Sequence, residues 1–487
     1  MQTVSQTRHA LLKCTRLLLC ASAVAILAPG AGAQTPRVQS LAAKKVAAFK
    51  AATGGKVRVG ISAVDLASGR QLIALHDDEL FIPASNQKLL VSALALLRLG
   101  VDYRFVTSVF LLPGGDLLMV GGFDPTLGDP AVARAEGRTI YAELDRWTEA
   151  LKKIDPAKFS GTILVSGVAG KRAYRHGDWP RGQNHTRYQA SVARLSFHNN
   201  CFGVTFVVSD GRVTPAVTPQ SRFIKVRSSV RLASRHIWSF VSNRDDSVVS
   251  LRGTAKTATR EPYYVAANNP PLLAGRVLAE RMISGGLTVT GQVRTVDADT
   301  IDRSKAQLIC RTTTSLATVM RRANKDSVNM AAECILLRAG DGTWPGSANI
   351  MTAVLTEAFG LPEGSLVVRD GCGLSRKNLV SPAAITKLLA GVARRKDARL
   401  LVGSLSRNGV DGTLRRRMTA SRRRERVAAK TGYIRGVSCL SGYVLDKASR
   451  PAIAFSMLVN DMPGRIATAK DLQDELCAVL IDASDGR

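Results

Sequence analysis

The chain has 487 residues, 45% of them hydrophobic and 22% charged, with mean hydropathy near zero, which excludes a disordered or fibrous chain. Its length allows more than one domain. Sixty-eight Lys and Arg against 38 Asp and Glu leave a formal charge of +30, a surplus that predicts attraction to polyanions and says nothing of fold.

Residues 1–33 carry Arg8, Lys13 and Arg16 and no acid, then an apolar run over 17–28, then Ala31-Gly32-Ala33. This reads as a secretory signal peptide. The run is too short for a spanning helix, and Leu19 stands where lipoprotein processing requires a small residue. The mature protein is therefore expected to be exported and periplasmic, soluble or peripherally membrane-associated, which removes nucleic acid as a partner.

Next, apolar periodicity over 38–52 predicts a helix, and 57–64 and 71–75 read as a strand pair around the turn Ala67-Ser68-Gly69. Ile82-Pro83-Ala84-Ser85 leads into 88–97, apolar on nearly every side and stopped by Gly100, which predicts a buried helix with Pro83 suited to its first turn. From 104 to 303 the texture changes to short alternating runs: a hairpin over 104–120, strands at 162–168, 203–208, 223–230 and 248–251, and one helix over 271–283. Helical periodicity then returns at 315–338, 348–359 and 382–393, followed by strands at 438–445 and 452–458 and a last helix over 465–481. The predicted fold class is α/β (α+β): one domain of a sheet flanked by helices, formed by 34–103 and 304–487. A strand-rich insertion, 104–303, of two nested subdomains interrupts it.

Six cysteines lie beyond residue 33 (Cys201, Cys310, Cys334, Cys372, Cys439 and Cys477) with no CxxC pair, and the six histidines are scattered without ligand spacing. No metal site and no dense disulfide framework is indicated, although one or two bridges and buried free thiols both remain open. A Ser-His-Asp hydrolase is disfavoured for want of a Gly-x-Ser-x-Gly elbow and a suitably placed histidine, and no nucleotide-binding loop is evident.

Three short motifs carry potential chemistry. Ser85-Asn86-Gln87-Lys88 puts a hydroxyl and an amine on one face of the buried helix, where desolvation lowers the amine's pKa towards that of a general base. Alone, the match also fits a helix cap with a snorkelling lysine. Lys430-Thr431-Gly432, before the strand-like Tyr443 region, fits either a turn or an ammonium and a hydroxyl lining a cleft beside a strand. Ser327-Val328-Asn329 falls between two helical runs, although Ser-x-Asn also occurs at Ser347 and Ser406.

Together and in this order, the three resemble the serine penicillin-binding and β-lactamase superfamily. The long separation of Lys88 from Ser327 is similar to the low-molecular-mass class C D-alanyl-D-alanine carboxypeptidase/endopeptidases of the DacB or penicillin-binding protein 4 type, peptidase family S13. Asp370-Gly371-Cys372-Gly373-Leu374-Ser375, Asp411-Gly412-Thr413-Leu414 and Leu440-Ser441-Gly442-Tyr443 resemble other blocks of that family. Two positions depart from it: Cys372 stands where serine is usual, and Phe123 interrupts Gly121-Gly122-Phe123-Asp124-Pro125.

The resemblance implies a penicillin-sensitive serine hydrolase acting on peptidoglycan stem peptides and cross-links, without cofactor or metal, with β-lactams as covalent inhibitors. It implies Ser85 as nucleophile, Lys88 as base, Ser327 as proton donor to the leaving amine, and Asn329 on the acyl-side amide. Lys430 would keep Lys88 neutral, Thr431 would bind the terminal carboxylate, Gly432 would let substrate lie alongside the strand, and the Ser85 and Tyr433 amides would form the oxyanion hole. A β-lactamase-like hydrolase and a non-catalytic wall-binding protein are the alternatives. Seven arginines (Arg415, Arg416, Arg417, Arg422, Arg423, Arg424 and Arg426) form either a solvated face or a patch for an anionic wall or membrane surface.

Overall fold

The computed structural model describes residues 31–154, 159, 161–167, 174–289, 292–464 and 466–486; the expected signal peptide lies outside them save for residues 31–33. Alternating apolar residues build a six-stranded sheet, antiparallel at every pairing. Its order is Ser406–Arg407, Val427–Ile434, Val437–Leu445, Pro451–Asn460, Arg58–Asp65 and Gln71–Leu75. The central strand Val437–Leu445 is buried along its whole length, so both faces of the sheet are covered.

On one face lie the helices Ala31–Ala52 and Ala467–Ser484, whose Val38, Phe49, Leu476 and Leu480 pack with Ile61, Leu440 and Phe455 of the sheet. On the other lies Gln87–Arg98, surrounded by Leu316–Asn324, Asn329–Ala339, Trp344–Phe359 and Pro382–Ala393. Helix Gln87–Arg98 is buried from Gln87 to Leu96, which accounts for its uniformly apolar sequence. Buried Tyr443 ties sheet to helix, its hydroxyl donating to the Leu389 carbonyl at 2.9 Å. Tyr443→Phe is expected to cost about 1 kcal/mol, seen as a lower urea midpoint at unchanged slope.

The chain leaves this body after Gln87–Arg98 and builds three further sheets. The largest runs Val293–Val296, Ile163–Ser166, Leu117–Gly121, Arg104–Leu111 and Gln307–Ser315, backed by the helices Ala142–Leu151 and Pro270–Ser284. Two three-stranded sheets complete the region: Lys225–Leu232, Val248–Ala255 and Ile237–Ser242 in one, and Tyr263–Ala266, Cys201–Ser209 and Arg212–Thr218 in the other.

Several elements differ from the reading of the sequence, and the middle region, expected to hold one helix, also has Pro130–Ala135 and Ala142–Leu151. Gln307–Ser315 is a strand paired with Arg104–Leu111, so 307–315 joins the middle region's sheet rather than the helical end. Its run Arg311-Thr312-Thr313-Thr314 has the β-branched character of a strand but little apolar alternation. Lys430-Thr431-Gly432 precedes the strand that holds Tyr443, Val437–Leu445, as expected, but lies itself in a strand, Val427–Ile434, and not in a turn. Lysine and glycine disfavour strands, and pairing with Val437–Leu445 overrides that preference. The six cysteines are all free and buried, and burial pushes the Cys201 and Cys477 thiols up to about 12. No helix of the described residues is long and apolar enough to cross a membrane.

Candidate active site

Ser85 sits in a single 3-10 turn, Ala84–Asn86, that runs straight into the helix Gln87–Arg98. The turn is held in an unusual backbone. Ala84 has φ 44°, a left-handed value that costs an alanine free energy, and Gly373 lies so close that a Cβ there would meet the Ala84 carbonyl at 1.7 Å. Ser85 is half-buried and so open to an incoming group, whereas Lys88, one helical turn on, is fully buried.

Lys88 Nζ has three oxygens around it: Ser85 Oγ at 3.0 Å, Asn329 Oδ1 at 2.8 Å and the Cys372 carbonyl at 2.8 Å. The orientation of Asn329 is set from outside, because its Nδ2 donates to the Tyr188 carbonyl at 2.8 Å, which leaves Oδ1 for Lys88. Tyr188 belongs to the middle region, in the turn Arg187–Gln189.

Ser327 occupies the break between Leu316–Asn324 and Asn329–Ala339, at φ 55°. Lys430 Nζ donates to Ser327 Oγ at 2.9 Å and to the Thr431 carbonyl at 2.9 Å. Thr431 Oγ1 donates to Thr413 Oγ1 at 2.8 Å. Gly432 is buried against the Ser85 turn: a Cβ on it would lie 2.7 Å from the Pro83 carbonyl and 2.9 Å from Cys439 Cβ. Tyr433 follows with its side chain exposed. Ser85 and Asn329 thus meet at Lys88 Nζ, Ser327 and Thr431 meet at Lys430 Nζ, and Gly432 abuts the Ser85 turn; a separate groove of about 450 Å³ nearby is lined by Val328, Thr413 and Arg415.

Electrostatics sharpen the geometry. Burial holds both ammonium groups below the usual lysine range. Lys430 is lowered further by the charge of Lys88, whereas Asp370 and Glu333 oppose the shift at Lys88. Two buried amines this close disfavour holding two protons at once.

The sequence reading missed several participants. The Cys372 carbonyl and the Tyr188 carbonyl are backbone groups, which no side-chain pattern announces. Glu333 and Asp370 are fully buried carboxylates that pin the segment bearing Cys372. Asp370 accepts from the Gly373 and Ser375 amides and from Trp179 Nε1, at 2.8, 2.6 and 2.9 Å. Glu333, Asp370 and Cys372 gather like a metal-ligand set, but both carboxylates are already engaged by N–H donors, so they serve as anchors. The spacing of Glu333, four residues after Asn329, was the available signal.

A half-open serine, a buried lysine against it and a second buried lysine on the adjoining strand make an arrangement in which an amine, in place of histidine, is set to take a serine's proton. The chain matches the D-Ala-D-Ala carboxypeptidase 3 (S13) family over residues 43–480 and belongs to that family of serine-type hydrolases. It is 30% identical to a D-alanyl-D-alanine carboxypeptidase of Actinomadura sp., over 87% of this chain and 81% of that protein. It is 24% identical to the D-alanyl-D-alanine carboxypeptidase DacB of Haemophilus influenzae, over 80% of this chain and 83% of that one. The crystal structure of penicillin binding protein 4 (dacB) from Haemophilus influenzae superposes with a TM-score of 0.73 at 19% identity, covering 90% of this chain and 99% of the other, and shares the fold.

Proposed function

We propose that the protein hydrolyses the D-alanyl-D-alanine end of peptidoglycan stem peptides, or D-amino-acid cross-links between stems, through an acyl-enzyme on Ser85, and that β-lactams acylate the same oxygen. The observation that carries this reading is the trio around Lys88. A neutral amine has two hydrogens and one lone pair, and an amide oxygen and a backbone carbonyl can only accept. With Asn329 Oδ1 and the Cys372 carbonyl taking the two hydrogens, the lone pair is left for the Ser85 hydroxyl.

Ser85 Oγ then attacks the acyl carbon while its proton passes to Lys88. The oxyanion is held by the Ser85 and Tyr433 amides, a reading supported by the tight approach of Gly432 to the turn. As the C–N bond breaks, Ser327 hands a proton to the leaving amine and recovers one through Lys430, the proton being the one that Lys88 took from Ser85, so that both amines end neutral. Asn329 aligns the acyl-side amide, Thr431 takes the terminal carboxylate, and water releases the acyl group. The test is mass spectrometry of products from purified pentapeptide monomers and cross-linked dimers. Loss of a terminal D-alanine or scission of the cross-link is the expected result, and intact substrates would overturn the reading.

The lysine pair gives a pH prediction. Acylation needs Lys88 unprotonated, so its rate is expected to rise with pH through the depressed pKa of that amine and then level off. The charge acts from Lys88 on Lys430, whose own pKa is lowered the further, so in Lys430→Gln the acidic limb of a penicillin-acylation profile should stay in place. A limb that moves would show that Lys430 carries the charge while Lys88 titrates.

The division into a catalytic body and an insertion over 104–303 is part of the same reading, with Gln307–Ser315 assigned to the insertion through its pairing. So is export to the periplasm, which the N-terminal sequence supports. The arginine patch is smaller than its sequence: Arg417 is committed to Asp474 at 2.6 Å and Arg426 to Asp485 at 2.9 Å. Arg415, Arg416, Arg422 and Arg424 are exposed, Arg424 with only an exposed partner, Glu425, at 3.7 Å, and these four serve an anionic wall or membrane surface. Replacing these four by glutamine should weaken retention on isolated sacculi at low salt. The difference should vanish near 1 M salt, where the screening length is about 3 Å.

A further inference from the structure

Glu333 touches none of the groups assigned a chemical step, yet it is completely buried and fully occupied. Its Oε1 accepts from the Gly371 amide at 2.9 Å and the Cys372 amide at 2.7 Å, and its Oε2 accepts from the Gly371 amide at 3.0 Å and Trp344 Nε1 at 2.8 Å. Burying a carboxylate is costly, and burial together with Asp370 pushes this one up to about 7, so the arrangement is not explained by packing alone. What it secures is the two peptides before Cys372; the next peptide, whose Cys372 carbonyl is one of the two pure acceptors on Lys88, is held at its other end by Asp370 through the Gly373 amide at 2.8 Å.

The other acceptor, Asn329 Oδ1, stands on the same helix exactly one turn earlier, since positions four apart share a helical face. Both acceptors are therefore referenced to one helix, Asn329 directly and residue 372, which bears the other carbonyl, through the amides that Glu333 holds.

We propose that Glu333 is a positioning residue for acyl transfer: by holding the Gly371 and Cys372 amides it sets where residue 372 stands, and so, one peptide on, where the carbonyl that accepts from Lys88 points, which aims the amine's lone pair at Ser85. This rests on the reading of Ser85 and Lys88 given above. Glutamine at 333 keeps the size but turns an N–H₂ group towards N–H donors, so the segment must shift. A displacement near 1 Å in such a site lowers rates by up to about 100-fold.

The experiment is rapid-mixing acylation by a reporter penicillin, resolved into the non-covalent dissociation constant, the first-order acylation rate and the titre of acylatable sites. Glu333→Gln should lower the acylation rate by about 10- to 100-fold, with the dissociation constant and the titre unchanged. A merely structural role would lower the titre instead. Trp344→Phe removes only the indole donor and should slow acylation several-fold, which keeps the test available if Glu333→Gln does not fold. A wild-type acylation rate in the folded variants, or a loss confined to titre, overturns the proposal. Ser85→Ala is run alongside: label retained there would sink the reading of the site, whereas a dead Ser85→Ala with a wild-type Glu333→Gln sinks only the role of Glu333.

Discussion

Ser85→Ala is expected to take up no labelled penicillin, and Lys88→Met to be acylated more slowly by on the order of 10⁴-fold, the upper range for a positioned base. Methionine keeps the length and apolar stem of lysine and supplies neither lone pair nor hydrogen. The variant leaves Asn329 Oδ1 and the Cys372 carbonyl without the amine, at a cost of about 1–3 kcal/mol for each orphaned acceptor. Fold should survive, since a buried amine, its pKa lowered by burial, is replaced by a residue of similar length suited to the core. Intact-mass kinetics at fixed penicillin decide the matter. Acylation of Lys88→Met at near the wild-type rate would mean that another group deprotonates Ser85.

Gly432→Val should be the second most damaging change. The nearest obstacle to its side chain is the Pro83 carbonyl, which is main chain and cannot swing aside as a flexible side chain would. The strand Val427–Ile434 must therefore retreat from the Ser85 turn and take the Tyr433 amide with it. Loss of one oxyanion donor in acyl-transfer enzymes costs about 10²- to 10³-fold, and overpacking adds about 1–3 kcal/mol of destabilisation. Acylation rate and urea midpoint, measured on the same preparation, should both fall. A variant that loses stability but keeps its rate would place the oxyanion donors elsewhere.

How much of this was legible depended on sequence distance. Ser85 and Lys88 lie one helical turn apart, so local geometry alone brings them together. Helical periodicity on both sides of Ser327 located the break that now presents it. By contrast, the strand under Lys430 is fixed by pairing with Val437–Leu445, a tertiary fact, and its Ala-Ala-Lys-Thr-Gly composition argues against a strand. The strand Gln307–Ser315 was hidden for the same reason: its partner is some 200 residues earlier in the chain. The carbonyls of Tyr188 and Cys372 were beyond reach of any motif, because every residue in the chain offers the same atom.

The Tyr188 contact has a consequence for anyone wishing to shrink this protein. The amide of Asn329 is oriented by main chain from the middle region, so the helical body cut free of that region would keep every reactive side chain and still lose the rotational preference of one. A minimal version of the fold would have to supply a substitute acceptor at that spot, or accept an amide free to turn its wrong end inward.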